Sequence, residues 1–208
     1  MDKQRKKEIF NEIFHQRFSC REFQDQDKEI SKEDLEYILE AGRMSPSSLG
    51  LEPWRFIVAQ KLEHKQAIAS IAHHQTHFVK CLAIIVFVAR LDFGEYFIPK
   101  LESRNISKEE LQKRVDTYKP FIDGMDKEQK LQYAREQIFL PLMSMAYAAT
   151  SLELNSCIIG GFDKDALDSY LKLDLKEKSV VLLAIGKAAD NHVPKKSRFT
   201  QEEIVRYL

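Results

Sequence analysis

An uninterrupted apolar run from Leu82 to Ala89 constrains the fold of this chain more than any other feature. The run reads Leu-Ala-Ile-Ile-Val-Phe-Val-Ala and contains no polar residue. Branched and aromatic side chains suit a pleated strand, and the lack of polar alternation means that both faces of the strand are covered. We therefore expect a central strand with a packed layer on each side.

Strand and helix patterns alternate along the rest of the chain. Apolar residues at helical spacing, among them Ile9 and Ile13, predict a first helix over residues 3–16. A capping sequence at Ser31 precedes a second helix, and Phe56 to Ala59 reads as a buried strand. The longest helical pattern runs from Asp126 to Leu154; its second half should be fully buried, and Pro141 should kink it or remove one hydrogen bond. Further predicted elements are a helix at 62–73 and strands at 156–159 and 180–186, which together give an α+β or α/β sandwich of four or five strands.

Composition excludes several classes of protein. The 208 residues are 44% hydrophobic and 31% charged, and 32 basic residues balance 32 acidic ones. This neutrality argues against a nucleic-acid binder. No apolar run approaches the roughly 20 residues of a membrane span, and the charged N-terminus does not resemble a signal peptide. Three cysteines without metal or disulfide spacing favour a reducing, cytoplasmic setting. We expect one domain over residues 1–208.

Residues 91–130 form a long, mostly polar excursion after the central strand. It contains a capping sequence at Ser107 and several aromatic residues, including Tyr118 and Phe121. Connections of this length are uncommon in compact domains and are often functional. We expect a lid over a binding site, with one helix inside it.

The stretch from Arg43 to Val58 is a candidate ligand-binding loop. Two prolines and a glycine exclude helix between Pro46 and Pro53, and Ser47 and Ser48 stand in a turn where main-chain N–H groups are also available. A plain helix-to-strand connection anchored by a buried Trp54 explains the same residues.

Two shorter motifs are also consistent with ligand binding. In the extended segment after the first helix, Arg17, Ser19 and Arg21 share one face at a spacing of two. Two guanidinium groups beside a hydroxyl suit a phosphate or carboxylate, although a solvated charged edge gives the same pattern. Gly160 and Gly161 end a predicted strand and let main chain approach a ligand, or form a simple turn.

No motif specifies a catalytic group of the protein itself. His73, His74 and His77 lack the further ligands that a metal site needs. The basic segment near Lys195 covers only a few residues of a neutral chain. Dinucleotide, phosphate-loop, zinc-protease and serine-hydrolase motifs are missing. Any chemistry is therefore expected to come from a bound cofactor.

Four motifs together resemble the FMN-dependent nitroreductase family. They are Arg17-x-Ser-x-Arg-x-Phe23, Ser45-Pro-Ser-Ser48 followed by Pro53-Trp54, Gly160-Gly-Phe-Asp163, and Lys196-Ser-Arg198. They follow the family's order and spacing over essentially the whole chain. The segment from Cys157 to Asp163 is most similar to the oxygen-insensitive NAD(P)H nitroreductases, including the branch that activates nitroimidazole drugs.

The resemblance implies an α+β fold with a mainly antiparallel sheet flanked by helices. It also implies a homodimer with a long helix at its interface, a C-terminal extension that reaches the partner subunit, and FMN bound between the subunits. Arg21 would lie near the flavin N1–O2 edge, and Tyr118 and Phe121 would form an aromatic lid over the substrate. The implied cofactor-binding residues are Arg17, Phe18, Ser19, Arg21, Lys196 and Arg198 around the phosphate and ribityl chain, Pro46, Ser47, Ser48 and Gly50 in the loop, and His74, Cys157, Ile159, Gly160 and Gly161 around the flavin ring.

The resemblance further implies a ping-pong reaction. NAD(P)H would pass hydride to flavin N5 and leave, and a nitro compound or quinone would then take two electrons in the same cavity. Arg21, Gly160 and Gly161 would tune the flavin, and no protein acid or base is strictly required. A general flavin, quinone or enone reductase and a non-catalytic flavin-binding protein are the alternatives. The chain departs from the family pattern at Phe18, Glu52, His77 and Gly160.

Overall fold

The protein forms a four-stranded antiparallel sheet flanked by helices. The structure is a computed structural model that describes residues 2–25, 29–75, 78–190 and 192–208. The strands lie in the order β1-β2-β4-β3, and every neighbouring pair is antiparallel. This confirms the predicted α+β class. The strands are β1 Trp54–Ala59, β2 Ala83–Arg90, β3 Asn155–Ile159 and β4 Glu177–Gly186.

Local signals in the sequence set the ends of several helices. The Asp126 side chain accepts a hydrogen bond from the Gln129 N–H, and the Gln129 side chain accepts one from the Asp126 N–H, which starts the longest helix. Ser107 caps another helix in the same way through the Glu110 N–H. The helices are α1 Lys3–Gln16, α2 Lys32–Arg43, α3 Leu62–Ile71, α4 Phe93–Glu102, α5 Lys108–Asp123, α6 Lys127–Ser151, α7 Lys164–Tyr170 and α8 Gln201–Ile204.

Strand β2 is the buried centre of the fold, as its apolar run predicts. Ile85 and Phe87 pack on one face of the sheet with residues of α2 and α6. Ile84 and Val86 pack on the other face, in a cluster that includes residues of α3 and α7. Because side chains alternate across a strand, a run without polar residues fills both layers.

Two expectations about burial are wrong. Strand β1 is an edge strand that pairs only with β2, so Phe56, Ile57 and Val58 are half-buried and not enclosed. The second half of α6 is not fully buried either, because Phe139 and Leu140 are 51% and 43% exposed. Helix α6 continues through Pro141, although a proline donates no main-chain hydrogen bond.

The excursion after β2 contains two helices where one was predicted. Helices α4 and α5 enclose a small apolar cluster of their own, made by Phe93, Phe97, Leu101 and Ile122. Leu51, from the loop before β1, is 1% exposed and belongs to the same cluster. The lid and the loop are therefore packed together. No helix in the described part of the chain is long and apolar enough to cross a bilayer.

Candidate functional site

The segment after α1 lies along strand β3 and presents its polar side chains outward. Helix α1 ends at Gln16 with Arg17 as its C-cap, and Ser19 then forms a parallel bridge with Ser156. The Cys20 N–H donates to the Ser156 carbonyl at 2.9 Å, and the Cys20 side chain is buried. Ser19 and Arg21 are exposed, as the spacing of two predicts, and Phe18 is half-buried beside them.

Basic residues from both ends of the chain converge beside this segment. The Lys196 ammonium donates to the His15 carbonyl at the end of α1. Burial lowers the pKa of Lys196, and the nearby charges of Arg17 and Arg198 lower that pKa further. Among the residues that the structure describes, none of these three cations pairs with a carboxylate. We call Arg17, Arg21, Lys196 and Arg198 the cation cluster.

Arg21 extends the cation cluster toward the end of β3. Burial raises the pKa of the Cys157 thiol, and the nearby charge of Arg21 opposes that rise. Cys157 and Ile159 are only 5% and 4% exposed, so main-chain groups, and not these side chains, are available at this edge.

Gly160 and Gly161 follow β3 and form a main-chain surface that no side chain covers at Gly160; we call this surface the ledge. A Cβ atom built on Gly160 meets no atom within 4 Å, so the space above it is free for a ligand. The Gln75 side chain donates to the Gly161 carbonyl at 2.9 Å, which brings the turn after α3 to the same ledge. His74 lies exposed in that turn with a φ of 57°.

Two of the three histidines considered for a metal site lie in this turn within the described residues. His73 and His74 are exposed, and His77 lies outside the described residues. Over the described ranges, no three His, Cys, Asp or Glu side chains come together at a distance suited to a metal ion.

The loop between α2 and β1 is fixed to helix α6. Ser45 and Ser144 are joined by a hydrogen bond of 2.8 Å between their hydroxyls, and the Ser48 N–H donates to the Gln137 side chain at 2.8 Å. The Ser47 hydroxyl closes the loop by accepting from the Glu52 N–H at 2.9 Å. Pro46 and Ser48 are left exposed, and Trp54 is buried at the start of β1 as predicted.

Helix α4 and the turn that follows it hold the same loop from the other side. The Arg104 guanidinium donates to the carbonyls of Leu49 and Gly50 at 2.8 and 3.3 Å. Lys100 forms an ion pair of 2.9 Å with Glu52. Ser48 to Gly50 form a 3₁₀ turn in which Gly50 has a φ of 62°. Gly50, which the sequence points to as a cofactor contact, therefore lies against Arg104.

The two aromatic residues predicted for the lid lie on the exposed side of α5. Tyr118 lines a cavity of about 470 Å³ together with Leu49 and Arg104. Phe121 is 55% exposed and makes an edge-on contact with the Tyr133 ring, with 6.3 Å between the ring centres. Tyr118 therefore leaves an aromatic surface next to Leu49 of the loop, whereas Phe121 lies against α6.

In the described ranges of one chain, no hydrogen bond or ion pair joins the loop to the cation cluster. The cluster lies beside β3, just beyond the C-terminal end of α6, whereas the loop is attached to α6 at Gln137 and Ser144. A helix rises 1.5 Å per residue, so these attachment points lie about 10 to 20 Å from that end. The predicted cofactor residues thus form two groups on one protomer.

Three residues of the site carry no signal in the sequence. Gln75, Arg104 and Gln137 each hold a main-chain group of a candidate binding segment. Each partner lies far away along the chain, and a single polar residue in a helix or turn looks like any other surface residue. Only the folded structure identifies them.

Comparison with known proteins identifies the family of this chain. The family model described as Nitroreductase family matches residues 15–187. A protein of Staphylococcus saprophyticus, named as a candidate NAD(P)H nitroreductase, is 33% identical over 211 residues and 95% of each chain.

Solved structures give the same result. A candidate nitroreductase from Exiguobacterium sibiricum in complex with FMN is 25% identical, with a TM-score of 0.85 over 96% of this chain and 97% of that one. A candidate nitroreductase from Bacillus subtilis has the same fold, with a TM-score of 0.89, 21% identity and coverage of 97% and 100%. The chain belongs to the nitroreductase family.

Proposed function

We propose that this protein is an FMN-dependent oxidoreductase that transfers electrons from NAD(P)H to nitro compounds or quinones. The observation that supports it most is the cation cluster, in which positive side chains converge and pair with no carboxylate of the described residues. Like charges held together oppose each other, and a phosphate of nearly two negative charges would relieve that repulsion. The FMN held by the relative from Exiguobacterium sibiricum carries such a phosphate.

The residues of the cluster fit the different parts of this cofactor. Arg17, Lys196 and Arg198 would hold the phosphate, and Ser19 would donate to the ribityl chain. Arg21 lies closest to β3 and would favour negative charge at the N1–O2 edge of the flavin. The free space above Gly160 lets main-chain groups reach a flat ring. When bound, FMN would supply two-electron chemistry between NAD(P)H and an acceptor.

The distance between the loop and the cation cluster supports a homodimer. A second copy of the chain would bring its Pro46, Ser47 and Ser48 to the cluster of the first, and it would cover apolar surface. Phe10 and Phe14 of α1 are 57% and 46% exposed although they form a continuous aromatic pair. Phe14 contacts Tyr147 of α6 at 5.4 Å between ring centres, so the exposed faces of α1 and α6 adjoin.

An absorbance spectrum and an anaerobic titration test this function. The purified protein should show a flavin band that bleaches with NADPH, NADH or both, and a nitroaromatic compound or quinone should restore it. Protein that remains colourless after reconstitution with FMN would contradict the proposal. A flavin that neither donor bleaches would leave a flavin-binding protein without this activity.

Substitutions in the cation cluster test the site separately. Arg21→Ala and Arg198→Ala should each release FMN, because each removes charge from the phosphate or ring contacts. Arg5→Ala on the exposed face of α1 is the matched control, since Arg5 pairs only with nearby Glu8 and should not affect FMN. Full retention of FMN by the Arg21 and Arg198 double variant would show that the cofactor binds elsewhere.

A further inference from the structure

A cavity of about 470 Å³ lies between the loop and the two lid helices, and its walls combine apolar surface with positive charge. We propose that this lid cavity binds the anionic group of a reaction partner with an apolar body. The inference rests on the proposed function and names the class of ligand that the site prefers. The lining residues are Leu49, Phe97, Leu101, Arg104, Glu110, Lys113, Arg114, Thr117 and Tyr118.

The inner wall of the lid cavity is apolar. Phe97 and Leu101 are 1% and 2% exposed and belong to the cluster that joins α4 to α5. Leu49 and Tyr118 add an aliphatic and an aromatic surface. Such a wall favours a hydrocarbon or aromatic body and offers little to a small hydrated ion.

The charged residues of the cavity do not cancel. Glu110 is neutralised by Arg114, with 2.7 Å between the two groups, and this contact holds the pKa of the Glu110 carboxyl below its usual value. Arg104 donates to two main-chain carbonyls, which are neutral partners that leave its positive charge uncompensated. Lys113 forms no ion pair among the residues that the structure describes, although its charge also contributes to lowering the pKa of the Glu110 carboxyl.

The three cations and one carboxylate of the lining leave a net charge of two positive units beside a buried apolar wall, which suits a carboxylate or a phosphate. Arg104 is half-buried, so its charge is screened less by water than the charge of a surface residue. Its guanidinium is already oriented by the loop carbonyls, so little side-chain freedom remains to be lost on binding. Lys113 is exposed at the rim and can reach an anion as it enters.

The lid cavity lies next to the loop segment that is expected to contact the flavin, which connects the cavity to the proposed electron transfer. Leu49 directly follows Ser47 and Ser48, which are expected to touch the flavin of the partner subunit. A ligand that extends from the flavin along this loop would reach the cavity with its far end. The anion could belong to a carboxylated acceptor or to the 2′-phosphate of NADPH, since both present negatively charged oxygens.

Steady-state kinetics of the FMN-loaded protein with matched ligands tests the inference. The acceptors are 4-nitrobenzoate and neutral 4-nitrobenzyl alcohol, the donors are NADPH and NADH, and the variant is Lys113→Gln. We expect this variant to lose about tenfold in kcat/KM for one anionic ligand while its neutral or non-phosphorylated counterpart changes less than about twofold. Loss with 4-nitrobenzoate identifies an acceptor carboxylate, and loss with NADPH identifies the donor phosphate.

Lys108→Gln is the control for a general change in charge. Lys108 lies exposed on the same helix but outside the cavity, so this variant should behave as the unaltered protein. The inference is wrong if Lys113→Gln affects both members of each pair equally, or if Lys108→Gln reproduces its effect. The unaltered protein would still turn over both acceptors in that case, which leaves the proposed function standing.

A binding measurement covers the case in which turnover fails. Calorimetric titration with 4-nitrobenzoate and with NADP+, which carries the same 2′-phosphate but no hydride to transfer, requires no reaction, and Lys113→Gln should weaken one of them about tenfold. Unchanged binding of both ligands in that variant overturns the inference independently of the enzyme activity.

Discussion

Lys196 lies where the fold brings several positive charges together and where no carboxylate of the described residues pairs with it. Its pKa is lowered by burial and then by the charges of Arg17 and Arg198. A group whose charged form is disfavoured in the folded protein points to a ligand that reverses the effect. No carboxylate in the described residues does so, and a bound phosphate would.

We therefore predict that FMN raises the pKa of Lys196. Because the folded-state pKa lies below the unfolded value, protonated Lys196 opposes folding, and this penalty disappears as the pH rises through the folded-state pKa. A phosphate favours the protonated form and shifts the pKa upward. An NMR titration of the Lys196 side chain with and without FMN measures the change. Riboflavin, which lacks the phosphate, should leave the pKa where it is; an equal response to both ligands would contradict the assignment.

Cys157 and Gln75 differ in how far their surroundings can be predicted from the sequence. The sequence predicts a strand that ends at Ile159 and a small buried cysteine within it, because local patterns specify both. It does not predict that Gln75 reaches the Gly161 carbonyl, because that contact depends on how α3 packs against the sheet.

The loop before β1 and the lid helices behave as one unit. Lys100 of α4 and Arg104, two residues after that helix, hold the loop, and Leu51 lies in the apolar cluster of the lid. Any movement of the lid must therefore carry the loop with it or break these contacts. The exposed segment from Pro46 to Ser48 is positioned by this packing.

Gly50→Ala should loosen this unit. The residue has a φ of 62°, and a Cβ there would lie 2.3 Å from the Arg104 guanidinium. The left-handed conformation alone costs about 1–2 kcal/mol for a residue with a Cβ. We expect a lower free energy of unfolding in urea and faster amide exchange at residues 48–51.

Gly160→Ala is the matched control for this prediction. Its added methyl group meets no atom within 4 Å, so stability should change by less than about 0.5 kcal/mol. The same change should weaken FMN binding, because it fills the space proposed for the flavin. Equal destabilisation by the two substitutions would show that the loop is not held as the structure indicates.

The whole protomer leaves a large apolar surface uncovered around α1. Helix α1 contains no buried residue although its sequence carries a clear apolar stripe. On α6, Leu140, Ser144 and Tyr147 share one face, and Tyr147 packs against Phe14. A second copy of the chain would bury this surface and complete the cofactor site.

Sedimentation equilibrium should accordingly give a mass of twice the 24.3 kDa of one chain. Leu140→Arg places a charge in the apolar face and should produce monomers that lose FMN. Leu175→Glu, at a position that is 83% exposed before β4, is the control and should leave the dimer intact. A monomer that binds FMN fully would contradict the shared site.

Local patterns in the sequence determined the elements of this protein and pointed to its family. The apolar run in β2, the stripe in α1 and the caps at Ser107 and Asp126 act within a few residues, so each can be read from the chain alone. The tertiary structure alone decided which elements meet. It made β1 an edge strand, packed Leu51 against the lid helices, and brought Lys196 to the end of α1. Those outcomes depend on contacts between residues far apart in sequence. Side-chain packing and electrostatic interactions decide them, and local conformational preference does not.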